Sequence, residues 1–187
     1  TPMKEERDPP DDSTLDQTLI ARWREGDERA ASQLVERHAQ PVARYLQSLG
    51  AREAVEELVQ DTFVRAFSSL DSFRGDSSLR TWLFTIARRL LLDSRRAFKR
   101  RRDVEPIQEG DAVTEYDALD GMIAGESGQR VLDAVERLSP TQREVFALRA
   151  GEGRSYREIA EIVGTTEGAA RVHYHNALRT VKEKLYV

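Results

Sequence analysis

The sequence predicts an all-α protein of two small helical domains joined by an acidic linker. Apolar residues recur at three- and four-residue spacing through both halves, and no segment of useful length alternates in the two-residue period of a strand. Helix starts and stops follow one another in order along the chain. Between the halves, residues 103–129 carry eight acidic side chains, four glycines and neither Lys nor Arg, which is the composition of a linker. The expected units are therefore 13–102 and 130–187.

At 187 residues, 39% hydrophobic and 33% charged, the chain can build small cores beneath much solvated surface. It has no cysteine, which excludes a disulfide framework, thiolate catalysis and thiolate metal sites. Its longest apolar runs, such as Leu90-Leu91-Leu92, fall far short of the ~20 residues of a membrane span. The segment from Lys4 to Asp12 is acidic and proline-bearing, unlike a signal or transit peptide. A soluble, cytoplasmic protein without membrane insertion is expected. Its net charge of -4 conceals a contrast, because residues 74–102 carry +8 and residues 103–129 carry -8. Such asymmetry points to a polyanionic partner, although a charge run by itself is more often a solvated helix face.

In the amino-terminal unit, Thr14 can cap a first helix through Leu19, Ile20 and Trp23, ended by Gly26. Asp27 can cap a second, with Ala30, Leu34 and His38 on one face. Pro41 is expected to kink or split it, and Gly50 to end it. Val55, Leu58, Val59, Thr62, Phe63, Ala66 and Phe67 form an amphipathic stripe. After a turn over Ser72–Asp76, a last helix runs from about Ser78, with Leu79, Trp82, Leu83, Ile86, Leu90 and Leu91 inward and many arginines outward.

Boundaries are sharper in the carboxy-terminal unit. Ser139-Pro140-Thr141-Gln142 combines an N-cap serine, a proline at the first helical position and a capping-box glutamine. Ser155-Tyr156-Arg157-Glu158 repeats the box. A short helix from Tyr156 to about Val163, a turn at Gly164-Thr165-Thr166 and a longer helix with Ala170, Tyr174, Ala177 and Val181 inward describe a helix-turn-helix. Helical hairpins that bind no nucleic acid share that outline.

Catalytic signatures are missing. His173 and His175 diverge on a helix, and no carboxylate joins them at metal-ligand spacing. There is no phosphate-cradling glycine loop and no nucleophile elbow. Glu53, Glu57 and Asp61 stand at four-residue steps on one face, either as a docking surface for a basic partner or as plain solvated charge. Neither an enzyme nor a cofactor is expected.

Several runs resemble bacterial extracytoplasmic-function (ECF) sigma factors. Glu56-Glu57-Leu58-Val59-Gln60-Asp61-Thr62-Phe63-Val64-Arg65-Ala66-Phe67 is similar to the family's polymerase-binding helix in region 2. Leu70-Asp71-Ser72-Phe73-Arg74-Gly75-Asp76-Ser77-Ser78 and Thr81-Trp82-Leu83-Phe84-Thr85-Ile86-Ala87-Arg88 resemble the segment that melts and reads the -10 promoter element. Leu138-Ser139-Pro140, Arg143, Gly153, Ser155-Tyr156, Glu158-Ile159-Ala160 and Glu167-Gly168 resemble region 4, which reads the -35 element. The likeness runs from Leu15 to Leu185 in family order.

The resemblance implies a transcription initiation factor whose partners are core RNA polymerase, promoter DNA and an anti-sigma factor. Polymerase would meet Glu57, Leu58, Gln60, Asp61 and Phe63. The -10 element would meet Phe73, Arg74, Asp76, Ser77, Arg80, Trp82, Arg88, Arg89, Arg95 and Arg96. The residues themselves agree, since opening a duplex calls for cations on phosphates and for aromatic or polar pockets around unstacked bases. Trp82 and Phe84 lie inside the basic segment, although the spacing of Trp82 with Leu79 and Ile86 also suits a core residue. The -35 element would meet Ser155, Tyr156, Thr165, Thr166, Glu167, Gly168, Arg171, His173, His175 and Arg179. Here the chain departs from its relatives, with Ala169-Ala170-Arg171-Val172-His173 where a more cationic run is usual.

Two rivals fit parts of the sequence. A stand-alone helix-turn-helix regulator would explain residues 130–187 and leave the Val55–Phe67 helix idle. A metal-dependent nuclease would need carboxylates near the basic segment, where only Asp76 and Asp93 stand.

Overall fold

A computed structural model of the chain describes residues 13–103 and 126–186. Among these residues all regular structure is helical. The amino-terminal unit contains α1 (Ser13–Arg24), α2 (Glu28–Ser48), α3 (Val55–Ser68), a 3₁₀ turn (Leu70–Ser72) and α4 (Leu79–Arg102). The carboxy-terminal unit contains α5 (Glu126–Glu136), α6 (Pro140–Phe146), a π-helical turn (Ala147–Gly151), α7 (Tyr156–Val163) and α8 (Glu167–Leu185). The helical piece expected near Tyr116–Ile123 lies outside the described residues.

Local chemistry sets most of these boundaries. Asp27 caps α2 by accepting from the Arg29 amide at 3.0 Å, and it also receives Arg22 from α1 at 2.6 Å. Gly26 and Gly50 take positive φ in the turns after α1 and α2, where a side chain would strain the backbone. Both expected capping boxes form, at Ser139–Gln142 and Ser155–Glu158. Gly164 ends α7 in the left-handed region, and Thr166 caps α8 through the Ala169 amide. Thr14 lies inside α1 instead of capping it, its carbonyl accepting from Thr18 Oγ1.

Pro41 does not split α2, which continues unbroken to Ser48. A proline inside a helix removes the bond from its own position to the carbonyl four residues earlier. That carbonyl belongs to Arg37, and Arg80 of α4 donates to it at 3.4 Å. The same arginine donates Nε–H to His38 Nδ1 at 3.2 Å, while His38 Nε2 lies 2.9 Å from Asp16. His38 is thus a buried link joining α1, α2 and α4. Burial works to raise the Asp16 pKa, but the hydrogen bonds and charges of His38 and Arg37 outweigh it and hold the carboxyl below its ordinary value.

The two units pack on each other. Leu83, Phe84 and Ala87 of α4 join a core that also holds Val145, Leu148, Tyr156, Ile159 and Ile162 from the carboxy-terminal unit. A smaller cluster of Ala134, Val135, Leu138, Ala177 and Val181 ties α5 to α8. Helix α4 therefore buries a second face, with Thr81 and Phe84 fully enclosed. Phe84 packs on Tyr45 with ring centroids 4.9 Å apart. Enclosing a phenylalanine of this kind is worth about 1.5–3 kcal/mol, so it is a structural residue and not a free platform for bases.

Candidate nucleic-acid and polymerase interface

Three surfaces carry the residues singled out in the sequence. The first is the outer face of α3, where Glu57, Gln60 and Asp61 are exposed. Leu58 and Phe63, expected on the same face, are instead 5% and 6% exposed and belong to the core. A stripe at three and four residues must point one way, and here it points inward. They support the acidic face from beneath. Val64, absent from the expected set, is 69% exposed beside it, seven residues after Glu57 and three after Asp61. Its signal was that spacing, an apolar residue on an otherwise charged helical face.

The second surface is the turn before α4 together with α4 itself. Arg74 and Asp76 stand exposed on the turn, with Gly75 at φ 78°. Phe73 packs on Trp82 at 5.0 Å between ring centroids, so both rings are half-buried and brace the turn. Ser77 is half-buried, and Ser78 caps α4 by accepting from the Thr81 amide. The arginines divide by function. Arg89 and Arg96 are exposed, Arg96 lying 3.5 Å from Asp93. Arg95 is exposed but donates to the Leu49 carbonyl at the end of α2. Arg80 is turned inward to Arg37 and His38, as described.

Arg88 is turned toward the other unit. Its Nε–H donates to Glu144 of α6 at 2.7 Å, and Tyr45 O–H donates to the same carboxylate at 2.6 Å. Burial lowers the Arg88 pKa less than the Glu144 hydrogen bond and charge raise it, so it stays firmly cationic. Burial first, and the Glu144 charge second, push the Tyr45 hydroxyl well above its ordinary value of 10.0, so it stays protonated and able to donate. Glu158 of α7 makes a comparable bridge. Thr81 Oγ1 and Ser78 Oγ lie 2.8 and 3.0 Å from its Oε1, while its Oε2 accepts from the Ser155 amide at 2.8 Å. Burial opposes this charge, yet the Ser155 amide, Arg154, Thr81 and Ser78 together hold the Glu158 pKa below its ordinary 4.5.

The third surface is the helix-turn-helix of α7 and α8. Ser155 is the half-buried cap of α7, Thr165 is half-buried and Thr166 is the exposed cap of α8. Glu167 and Gly168 open α8 in the exposed first turn. At 100° per residue, Gly168, His175 and Arg179 run along the middle of the exposed face, with Arg171 and Val172 on its flanks. His173 is half-buried. Of the two histidines, His175 is therefore the one aimed outward. Tyr156 is 8% exposed and acts from below, with the Arg171 guanidinium over its ring at 4.4 Å and that of Arg149 at 4.6 Å.

An exposed acidic helix face, a basic helix beside a polar turn, and a helix-turn-helix stand in this order along the chain. Residues 34–102 match the Sigma-70 region 2 family, and residues 128–181 match Sigma-70, region 4. The ECF RNA polymerase sigma-E factor of Haemophilus influenzae is 31% identical over 179 residues, covering 91% of this chain and 95% of that one. The chain belongs to the ECF RNA polymerase sigma factors. The sigma-E factor of Escherichia coli K12 is 33% identical over 179 residues, covering 91% of this chain and 94% of its own length. Among solved structures, CnrH in complex with the cytosolic domain of CnrY superimposes with a TM-score of 0.64 at 31% identity, covering 91% of this chain and 97% of CnrH. The sigma factor RpoE of Bartonella quintana, in complex with the anti-sigma factor NepR, gives 0.63 at 29% identity, covering 83% and 96%. This sigma factor is accordingly a transcription initiation protein. Among its described residues no helix is long and apolar enough to cross a membrane.

Proposed function

We propose that this sigma factor docks on core RNA polymerase through the outer face of α3, carries it to a promoter and helps melt the -10 region. Residues 13–102 act as the polymerase-binding and -10 unit, 103–129 as the linker and 130–187 as the -35 unit. Glu57, Gln60, Asp61 and Val64 form the docking face. Arg74 and Asp76 on the turn hold an unstacked base of the -10 element, and Arg89 and Arg96 follow the phosphates of the same segment. In the -35 element Arg171 bridges a base edge, with His175 and Arg179 beside it. The protein works by binding, without catalysis or a cofactor, in the cytoplasm where the polymerase is. An anti-sigma factor is its expected negative regulator, as the solved complexes of two relatives suggest.

The observation that carries this reading is the co-occurrence of the exposed acidic α3 face and the helix-turn-helix in one chain. A stand-alone DNA-binding regulator has no use for the former. Run-off transcription with core polymerase on a promoter library tests it, with promoter-specific transcripts expected only when the sigma factor is added. Asp61→Arg should weaken core binding by about 1–3 kcal/mol with thermal unfolding unchanged. Unaltered binding in a titration of that variant with core polymerase would remove α3 from the interface.

A further inference from the structure

The turn between α3 and α4 carries Arg74 and Asp76, and a cation from α1 closes over the base of it. Leu70, at the start of the 3₁₀ turn, is buried, and the Phe73 amide donates to its carbonyl at 3.1 Å. Arg24 is the last residue of α1, forty-six positions before Leu70. Its Nη2 donates to the Leu70 carbonyl at 3.0 Å and to the Phe73 carbonyl at 3.3 Å. One guanidinium nitrogen therefore spans the 3₁₀ turn, at the carbonyl end where a helix favours a cation. The mount of that arginine is rigid. Trp23 packs on Phe67 of α3 with ring centroids 5.5 Å apart, and Arg22 grips Asp27 at 2.6 Å across the Gly26 turn. On the far side Phe73 leans on Trp82 at 5.0 Å, and Ser78 caps α4. The turn is thus held at Leu70, Phe73 and Ser78, and Arg74, Gly75 and Asp76 stand exposed between them. Among the described residues, neither Arg74 nor Asp76 makes a hydrogen bond or ion pair.

We propose that Arg24 is a positioning residue for the -10 turn, one that presets Arg74 and Asp76 without touching DNA itself. The reason lies in covalent geometry. The Phe73 carbonyl and the Arg74 amide belong to one planar peptide, with C=O and N–H pointing in opposite directions. Fixing that carbonyl fixes the plane in which the chain sets off toward Arg74. Gly75, at φ 78°, then turns it toward Asp76. With Arg24 in place, two side chains free of protein partners start from one backbone arrangement. Without it, the residues between Phe73 and Ser78 must be ordered by the base they receive, and that ordering opposes binding and blunts discrimination. The proposal rests on the promoter function above and deepens it, because it names a residue outside the DNA surface that sets how selective the turn is.

The test uses the full-length sigma factor, core polymerase and a randomised single-stranded oligonucleotide library. Arg24→Met keeps an unbranched stem and removes the donors and the charge, whereas Arg24→Lys keeps a charged donor for both carbonyls. Arg24 is exposed, so both variants should match the parent in helical circular dichroism and in core binding. Enrichment of the preferred base at the most selective position should fall about tenfold in Arg24→Met and recover by at least about half in Arg24→Lys. In an Asp76→Ala background, where the receiving site is already damaged, adding Arg24→Met should lower it by less than about twofold more. Unchanged base preference in Arg24→Met overturns the proposal, and so do fully additive losses in the double variant. A drop of about one in the salt slope of duplex binding also overturns it, since Arg24 would then be a phosphate contact. A parent holoenzyme that enriches no base counts against the promoter function instead. Amide hydrogen exchange over residues 72–76 of the free protein then decides, with exchange about tenfold faster in Arg24→Met expected and equal exchange overturning the role of Arg24.

Discussion

Helices α4 and α8 are both the long final helix of their unit, both carry arginine, and both are assigned to DNA, yet they meet solvent differently. Helix α8 buries Ala170, Ala177 and Val181 and leaves Gly168, Arg171, Val172, His175 and Arg179 outside. Helix α4 buries Leu79, Leu83, Ala87 and Leu91 on one side, Phe84 against Tyr45 and Thr81 under Glu158 of the neighbouring unit, and three of its arginines are committed to protein partners. The surface proposed for the -35 element is therefore exposed with the two units packed together, whereas the one proposed for the -10 element is only partly free. A count of cations would rank them the other way, since α4 is much the richer in charge. What separates the two helices is how many of their cations have a prior engagement.

The largest effect that would sharpen this contrast is on Phe84. Phe84→Ala should cost about 3–5 kcal/mol of stability, read as a drop in thermal midpoint, because it empties the centre of the shared core. A variant that unfolds normally and fails only at promoter opening would restore Phe84 to the bases. Arg88 and Arg89 come next. Arg88→Ala leaves Glu144 buried without its cation and should destabilise the closed chain by about 1–3 kcal/mol, a range reduced for the quarter of the side chain that reaches water. Arg89→Ala should leave unfolding unchanged and lower the salt dependence of promoter binding. Equal behaviour of the two variants in both assays would erase the division of the α4 arginines.

On α8 the same experiment should look different. Arg171→Ala is expected to cost about 1–3 kcal/mol at one base pair of the -35 element and nothing in thermal stability. Profiling the variant against single-base changes of the site checks this, and a uniform loss across all sequences would make Arg171 a phosphate contact. The smallest effect concerns acid. The Glu158 pKa is depressed in the folded chain, so its contribution to the contact between units is present at neutral pH. It fades as pH falls from the ordinary carboxylate range through that depressed value. Titrating the distance between units below pH 4.5 should show opening that Glu158→Gln no longer shows.

The parts of this architecture that are local were legible in the sequence. Ser139 with Gln142, Ser155 with Glu158, and Gly164 before Thr166 specify their turns within four residues, and each is found where expected. Long-range choices were not legible. Nothing adjacent to Pro41 says that Arg80, thirty-nine residues on, will take up the stranded Arg37 carbonyl. Leu58 and Phe63 were assigned outward by resemblance, which names a helix but does not turn it, whereas the 3–4 spacing already placed them with Val55 and Thr62. The second buried face of α4 escaped because its partner, α7, lies in the other unit. On α8 the buried positions Ala170, Ala177 and Val181 followed from periodicity, while its site residues came from the resemblance. The engaged arginines of α4 required knowing which carboxylates arrive from elsewhere.

The stacking of Arg171 on Tyr156 has a bearing on how discriminating the -35 helix can be. A free arginine on a helix surface samples many rotamers, and fixing it on a base costs on the order of 1–2 kcal/mol in entropy. Arg171 has surrendered much of that freedom before any duplex arrives, because Tyr156, itself wedged between Arg149 and Tyr174, gives its guanidinium a plane to lie on. The few cations of α8 can then be selective without being numerous, since Arg171 forms its contact at reduced entropic cost and so small a set adds little indiscriminate attraction for phosphate. A sparse, rigid reader loses less to the rest of the genome than a dense, mobile one.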